Sequence, residues 1–493
     1  MTSISTTLAG VLAERLKGDV IDPDDPRYDD ARRVWNGMID RRPALIARCR
    51  SAGDDGYDEA RSIWNGMIDR RPALIARCRT GADIAAALNF AREHGLLVAV
   101  RGGGHNIAGN AVCDGGLMIS LDALKRVDVD PEARTARVEP GASLADFDAA
   151  VQEHGLATPV GVNSTTGVAG LTLGGGFGWL SRRYGMTIDN LIAADVVLPS
   201  GRIVRASADG EPDLFWAIRG GGGNFGVVSA FHFRLHPVGP EILSGLIVHP
   251  GDRASDFLRF YRDFAPTLPD ETAVWVVLRK APPLPFLPEE WHGRDVVVVA
   301  AFHGGDMREG ERILEPLREW GDPIADVIGP HPYAGWQQAF DPLLTPGARN
   351  YWKSHDFTEL SDAFLDTLVG AAGRLPTAEC EVFLAQVGGE MGRVAADATA
   401  YPHRHARYIM NVHTRWQDQA QDDECIAWAR DLFQASEPHA AGTVYVNFMP
   451  TDESDAVERA YGDHYPRLSE LKRRYDPDNL LRMNQNIQPA PAG

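Results

Sequence analysis

RGGGHN at Arg101–Asn106 is the first of three glycine clusters in the chain, followed by GVAGLTLGGGFG at Gly167–Gly178 and RGGGGNFG at Arg219–Gly226. A tight turn needs one or two glycines, not three or four in succession. Consecutive residues without Cβ atoms expose backbone N–H groups and form a nest suited to a pyrophosphate. The clusters therefore point to a phosphate-bearing cofactor. Gly221, Gly223 and Gly226 satisfy G-x-G-x-x-G, yet VVSAFHFRL follows them and reads as a strand, whereas the dinucleotide fingerprint must open a helix. No G-x-x-x-x-G-K-[ST] occurs, which excludes a P-loop nucleotidase.

Around these clusters, Asp83 is expected to cap a helix from Ile84 to His94, with ALIARC at Ala73–Cys78 before it and a buried strand at Leu96–Val100 after it, a βαβ unit. From Gly102 to Pro237, short Val/Leu/Ile strands alternate with glycine turns. Beyond Pro237 come longer strands at Ala273–Leu278, Asp295–His303, Glu379–Val387 and Arg407–His413, with amphipathic helices such as Asp362–Ala372. This predicts an antiparallel sheet backed by helices, with Ala281–Pro288 as a rigid surface loop. YVNFM near the end reads as a strand, followed by a helix over Asp452–Arg474 and a terminal loop, YDPDNLLRMNQNI.

Near the start, Tyr28–Arg50 repeats as Tyr57–Arg79 at 20 of 23 positions. Two copies do not build a solenoid, and only one can occupy the native slot. The second copy runs directly into the βαβ unit and is expected to take it.

Forty-nine Lys and Arg against 68 Asp and Glu give a net charge of -19, which disfavours nucleic-acid and anionic-membrane partners. Five cysteines in 493 residues form no disulfide framework. The first residues lack a signal-peptide pattern, and the longest apolar runs, such as Val296–Phe302, fall far short of the ~20 residues a bilayer span needs. A soluble cytoplasmic protein is expected.

RGGGHNIAGN, GVAGLTLGGGFGWLSRRYGMTIDNL, DLFWAIRGGGGNFGVV and YDPDNLLRMNQNI, in this order, resemble the FAD-linked oxidases of the vanillyl-alcohol-oxidase type. Within these the chain resembles the berberine-bridge-enzyme-like branch and its bacterial 6-hydroxynicotine oxidase-type members. The resemblance implies an α+β fold: a two-part, PCMH-type FAD-binding domain and a substrate domain with an antiparallel sheet backed by helices. Its boundaries fall at 1–56 for an extension carrying the first repeat, 57–238 for the FAD-binding domain, 239–440 for the substrate domain, and 441–493 for the return to the FAD-binding domain.

The resemblance also implies FAD contacts at Arg101, Gly102, Gly103, Gly104, His105, Asn106, Gly167, Val168, Gly170, Gly174, Gly175, Gly178, Gly226, Val228, Asn447, Asn484 and Gln485. A neutral imidazole is a nucleophile, and in the family the histidine of the first motif carries a covalent flavin link, here His105. Many members add a cysteinyl link at the position occupied here by Asn163. Covalent FAD through His105 alone is expected, and Cys113 is no obvious substitute. Phe177 stands where some relatives carry a catalytic tyrosine. Tyr445 of the family's Y-x-N segment and Lys353, in RNYWKS, are alternative candidates for the base. Gln386, Tyr408 and His413 are candidate substrate contacts. His403, His405 and His413 lack the carboxylate or thiolate company of a metal site, and no metal is expected.

The implied activity is hydride removal from a C–OH or C–N carbon of a small organic substrate to flavin N5, with O2 as acceptor and H2O2 as product. The alternatives are a flavin dehydrogenase with another acceptor and a non-catalytic flavin-binding protein.

Overall fold

Three sheets carry the architecture of the protein, whose structure, a computed structural model, describes residues 49–50, 56–452 and 457–491. The first is built on the second repeat. Leu74–Arg77 and Val98–Arg101 both pair in parallel with Leu117–Ser120, which lies between them. The helix Gly81–Glu93 makes the crossover and buries Ile84, Ala87, Leu88 and Ala91 on the sheet. It starts earlier than Asp83: Thr80 is the cap, its hydroxyl accepting from the Asp83 amide while the Asp83 carboxylate accepts from the Thr80 amide. Asp83 is thus the third residue of a capping box. Backbone of the first repeat, Cys49–Arg50, pairs antiparallel on the outer edge of Leu74–Arg77. The rest of that copy lies outside the described residues.

The second sheet has five antiparallel strands in the order Val127–Asp130, Thr135–Val138, Val227–Arg234, Leu191–Val197, Ile203–Ser207. RGGGGNFG runs into Val227–Arg234 after a short 3-10 turn, Gly222–Asn224. No helix opens there.

The third sheet has eight strands and forms a cap. Its path runs Ala325–Asp326, Glu241–Pro250, Asp295–His303, Thr272–Lys280, Glu381–Gln386, Tyr408–Trp416, Arg349–Phe357, with Gly329–Pro332 also on Glu241–Pro250. Side chains alternate across it. Val274, Val276, Leu278, Val382, Leu384, Met410 and Val412 face the helices Ala254–Phe264, Asp362–Ala372 and Asp422–Ser436. Trp275, Phe383 and Ile409 face the other two sheets.

The chain then returns. YVNFM is not a strand: Val446–Phe448 is a 3-10 turn, tied to the cap where the Tyr445 amide donates to Ser354 Oγ at 3.2 Å. The helices Val457–Tyr461 and Tyr465–Tyr475 lead to the terminal loop. Buried Lys472 braces that loop, donating to Asp476 at 2.7 Å and to the carbonyls of Asn224 and Leu481. Asp476 in turn accepts from the amides of Leu480 and Leu481. Among the described residues no helix is long and apolar enough to cross a membrane.

Candidate active site

A cavity of about 850 Å³ lies between the glycine turns and the open face of the cap. Its floor needs glycine for close approach. A Cβ on Gly103 would overlap the backbone of Gly167, and the reverse holds, so the first two clusters touch main chain to main chain. Gly104 has φ +75° and Gly222 φ +71°, backbone that L side chains rarely adopt. A Cβ on Gly170 or Gly223 would meet no protein atom within 4 Å although both residues line the cavity. That empty space beside bare backbone is a cradle for a bound group, and its shape and donors suit the diphosphate and ring edge of FAD.

Of the residues expected around FAD, Gly102, Gly103, Gly104, His105, Asn106, Gly167, Gly170, Gly174, Gly226, Val228, Asn447, Asn484 and Gln485 line this cavity. The remaining four are set behind it. Arg101 reaches away to the Ala60 carbonyl, the Val168 amide donates to Ala142, a Cβ on Gly178 would overlap the Val160 carbonyl, and Gly175 packs on Met186. Asn224 is a clasp that the motifs did not reveal. Its amide nitrogen donates to the Gln485 carbonyl and its oxygen accepts from the Ile487 amide, fastening the terminal loop to the third glycine cluster.

His105 is half-buried, its ring stacked on Trp64 with centroids 5.1 Å apart. Thr165 Oγ1 lies 3.1 Å from Nε2 and Thr166 Oγ1 3.5 Å from Nδ1. Burial pushes the imidazole down to about 4, so the ring is neutral at physiological pH. Trp64 belongs to the second repeat, as does Asn65, whose side chain donates to Ile107 and Asn350 and so links the floor to the cap. Asn163 lines the cavity and accepts from Thr165 Oγ1 at 2.7 Å. Cys113 is buried away from it, and burial pushes its thiol up to about 11.

Tyr445 and Phe177 meet edge-on, with centroids 5.0 Å apart, at the junction of floor and cap. The Tyr445 oxygen accepts from the Gly176 amide and from Asn447 Nδ2, each at 2.9 Å. Burial pushes the phenol up to about 12 against these two bonds.

The cap contributes a wall that sequence reading located only at His413. Trp275, Val277, Arg279, Trp352, Glu381, Phe383, Asn411 and His413 all line the cavity. Lys353, Gln386 and Tyr408 do not, because they lie one residue out of phase on the same strands. Lys353 sits over the rings of Tyr351 and Phe433 and 3.8 Å from Asp452 on the helix-backed face. Gln386 donates to the Ala265 carbonyl and accepts from the Val274 amide, and Tyr408 packs against Tyr261. Glu381 accepts from Arg279 Nη1 at 2.6 Å and from His413 Nδ1 at 3.0 Å. Burial alone would raise this carboxyl, but Arg279 and His413 outweigh it and bring it to about 2. His403 Nε2 donates to the Ala460 carbonyl at 2.7 Å, and no cluster of three or more metal-ligating side chains occurs among the described residues.

Residues 72–207 match the family described as FAD binding domain, and residues 444–488 match the family described as berberine and berberine like. An FAD-linked oxidoreductase of Dictyostelium discoideum is 32% identical over 411 residues, covering 83% of this chain and 86% of that one. The chain belongs to the berberine-bridge-enzyme-like FAD-linked oxidoreductases. (R)-6-Hydroxynicotine oxidase of Paenarthrobacter nicotinovorans is 29% identical over 99% of both chains. The crystal structure of 6-hydroxy-D-nicotine oxidase from Arthrobacter nicotinovorans superposes with a TM-score of 0.80 at 26% identity, covering 96% of this chain and 98% of that one. A xylooligosaccharide oxidase from Myceliophthora thermophila shares the fold, with a TM-score of 0.78 at 24% identity over 90% of this chain and 97% of that one. As a family member the protein is an FAD-dependent oxidoreductase, with the PCMH-type α+β fold of its relatives.

Proposed function

We propose that the protein is an oxidase acting on a C–OH or C–N carbon of a small organic substrate, with FAD carried covalently on His105 alone and O2 as electron acceptor. The observation that carries this reading is the single cavity joining the glycine cradle and His105 to the aromatic wall of the cap. FAD bound there would supply the hydride acceptor and the electron path to O2, giving H2O2.

The protein's own groups divide the remaining work. The neutral His105 imidazole offers a nucleophilic nitrogen, with Thr165 and Thr166 fixing the ring plane. Asn163, an amide, cannot form the thioether that a cysteine would. Bare backbone at Gly102–Gly104 and Gly222–Gly223 holds the diphosphate. Tyr445 takes the heteroatom proton as its phenolate and becomes the neutral phenol, the Gly176 amide and Asn447 both donating to its oxygen and so favouring the ionised form that acts as the base. Lys353, on the helix-backed face, is left to the Asp452 and Tyr351 cluster. Trp275, Trp352, Phe383 and Phe448 exclude water from the substrate side.

The test has two readings on purified protein. After acid precipitation the yellow colour should stay in the pellet, and His105→Ala should release it to the supernatant. A panel of alcohols and amines added without oxygen should include one that bleaches the flavin, with the colour restored by air. Colour released from the wild type overturns the histidyl link. Recolouring by a dye but not by air overturns O2 as acceptor.

A further inference from the structure

Asn163, Thr165 and His105 form a chain of hydrogen bonds whose directions are set by one backbone amide. The Thr165 N–H can only donate, and it meets the Asn163 side chain at 3.1 Å, so the atom it meets there is the amide oxygen. The same oxygen lies 2.7 Å from Thr165 Oγ1 and can only accept, which commits the single hydroxyl proton of Thr165 to Asn163. Thr165 Oγ1 therefore offers only lone pairs to His105 Nε2, 3.1 Å away. Nε2 must then carry a proton. Burial keeps the ring neutral, so its other nitrogen, Nδ1, holds the lone pair.

The surrounding loop holds this chain of bonds in place. The Thr166 amide donates to the Asn163 carbonyl at 3.1 Å, and the Leu144 amide donates to the Thr166 carbonyl at 2.8 Å. Buried Ser164 is gripped by Asp341 of the cap, its amide donating to one carboxylate oxygen at 3.0 Å and its hydroxyl to the other. Thr166, whose hydroxyl lies 3.5 Å from Nδ1, lines the cavity, and Thr165, beside Nε2, does not. The lone pair is thus on the cavity side of the ring. Without the Asn163 oxygen, the Thr165 hydroxyl is free to turn and donate to Nε2. That arrangement occupies the Nε2 pair and puts the proton on Nδ1, so neither nitrogen is left as a nucleophile.

We propose that Asn163 is a positioning residue for flavin attachment: acting through Thr165, it holds the proton of His105 on Nε2 and keeps the Nδ1 lone pair open to the cavity. The proposal rests on the reading of FAD as carried on His105. In the attachment, Nδ1 bonds to a ring methyl carbon of the flavin, which loses one proton while Nε2 loses another. The two electrons released stay on the flavin with both protons, and O2 removes them as H2O2.

The test compares purified wild type with Thr165→Ser, Asn163→Leu, and Asn163→Leu combined with Thr165→Val. Absorbance gives the total bound flavin, and the colour kept by the acid pellet gives the attached share. Thr165→Ser retains the hydroxyl and should match the wild type. Asn163→Leu should bind as much flavin as the wild type yet lower the attached share at least ~10-fold, the worth of one hydrogen bond. The double variant also removes the misdirected donor and should recover most of the attached share, a rescue that a merely structural role for Asn163 would not allow. Long-range proton–nitrogen spectra of ring-labelled histidine, taken on the full chain from flavin-starved cells, should show His105 protonated at Nε2 in the wild type and at Nδ1 in Asn163→Leu. The His105 signal is the one lost in His105→Ala. An undiminished attached share in Asn163→Leu, a double variant no better than the single one, or a wild-type His105 protonated at Nδ1 overturns the proposal. The wild-type spectrum decides it even if Asn163→Leu does not fold. Flavin released from the wild type by acid, with His105 protonated at Nε2, would count against the histidyl attachment alone.

Discussion

The Tyr445 oxygen is pulled in two directions. Hydrogen bonds from the Gly176 amide and Asn447 favour the phenolate, while burial disfavours it and prevails, holding the group at about 12. At neutral pH only a small fraction is ionised, so flavin reduction should accelerate as pH rises from neutrality. Removing a donor to the oxygen raises the group further. Asn447→Leu is therefore expected to move the rising limb to higher pH, and Tyr445→Phe to abolish it with a loss of ~10²- to 10⁴-fold. Stopped-flow reduction across a pH series reads both, and a Tyr445→Phe protein that keeps its rate transfers the proton to another group. His105, the glycines and Asn447 were reached through the resemblance of whole motifs, the glycine clusters and the Y-x-N segment, and not through local pattern, which read the Asn447 segment as a strand. The facing of Gln386, Tyr408 and Lys353 was not legible, for a physical reason. Tyr408–Trp416 is buried on both faces, so the apolar-polar alternation that tells one face from the other is erased.

Elements set the tolerance of the site to change. Gly170 lies within the helix Val168–Leu173 with open space before it, so Gly170→Leu should leave the apoprotein's melting temperature intact while flavin content falls toward zero. Equal flavin content in that variant would show that the cradle lies elsewhere. The helix Leu144–Gln152 carries a second informative group, Asp148, which accepts from Gln337 of the cap at 3.1 Å. Burial pushes Asp148 up to about 7, above its ordinary value of 3.8. Between those values the folded protein binds a proton that the unfolded chain has lost, so this residue's stabilisation is complete below 3.8 and disappears as pH climbs through 7. Thermal melts should accordingly show Asp148→Asn losing less stability than the wild type from acid to neutral pH. Identical slopes would refute it. Element types were mostly readable here, but YVNFM carries the β-branched and aromatic pattern of a strand and folds as a 3-10 turn, where the Tyr445 amide donates to Ser354, the Tyr445 oxygen accepts from the Gly176 amide and Asn447 donates to the Leu171 carbonyl. Tertiary contact overrode local propensity.

Across the whole molecule, the second copy of the duplicated segment builds part of the site. The second copy supplies Tyr57, whose hydroxyl donates to Pro72, Trp64 against His105, Asn65 between floor and cap, and the sheet strand Leu74–Arg77. The first copy contributes the edge pairing of Cys49–Arg50. Deleting Asp29 through Tyr57 joins Tyr28 to Asp58 and restores one copy in the same register. The shortened protein is expected to fold, hold flavin in the wild-type ratio and keep its activity, as absorbance and thermal melting would report. Precipitation or colourless protein would make the first copy structural.

The clasp at Asn224 has a consequence for how the enzyme is made. The surfaces around the cradle come from residues near 105, near 170, near 224 and near 485, and the last of these is fastened to the third by Asn224. A ribosome delivers them in that order. The first glycine turn therefore emerges hundreds of residues before the segment that closes over it, and a nascent fragment ending short of Gln485 lacks part of the cavity wall. Flavin loading is therefore expected late in biosynthesis, and prematurely terminated products should be colourless even where their first two sheets are complete.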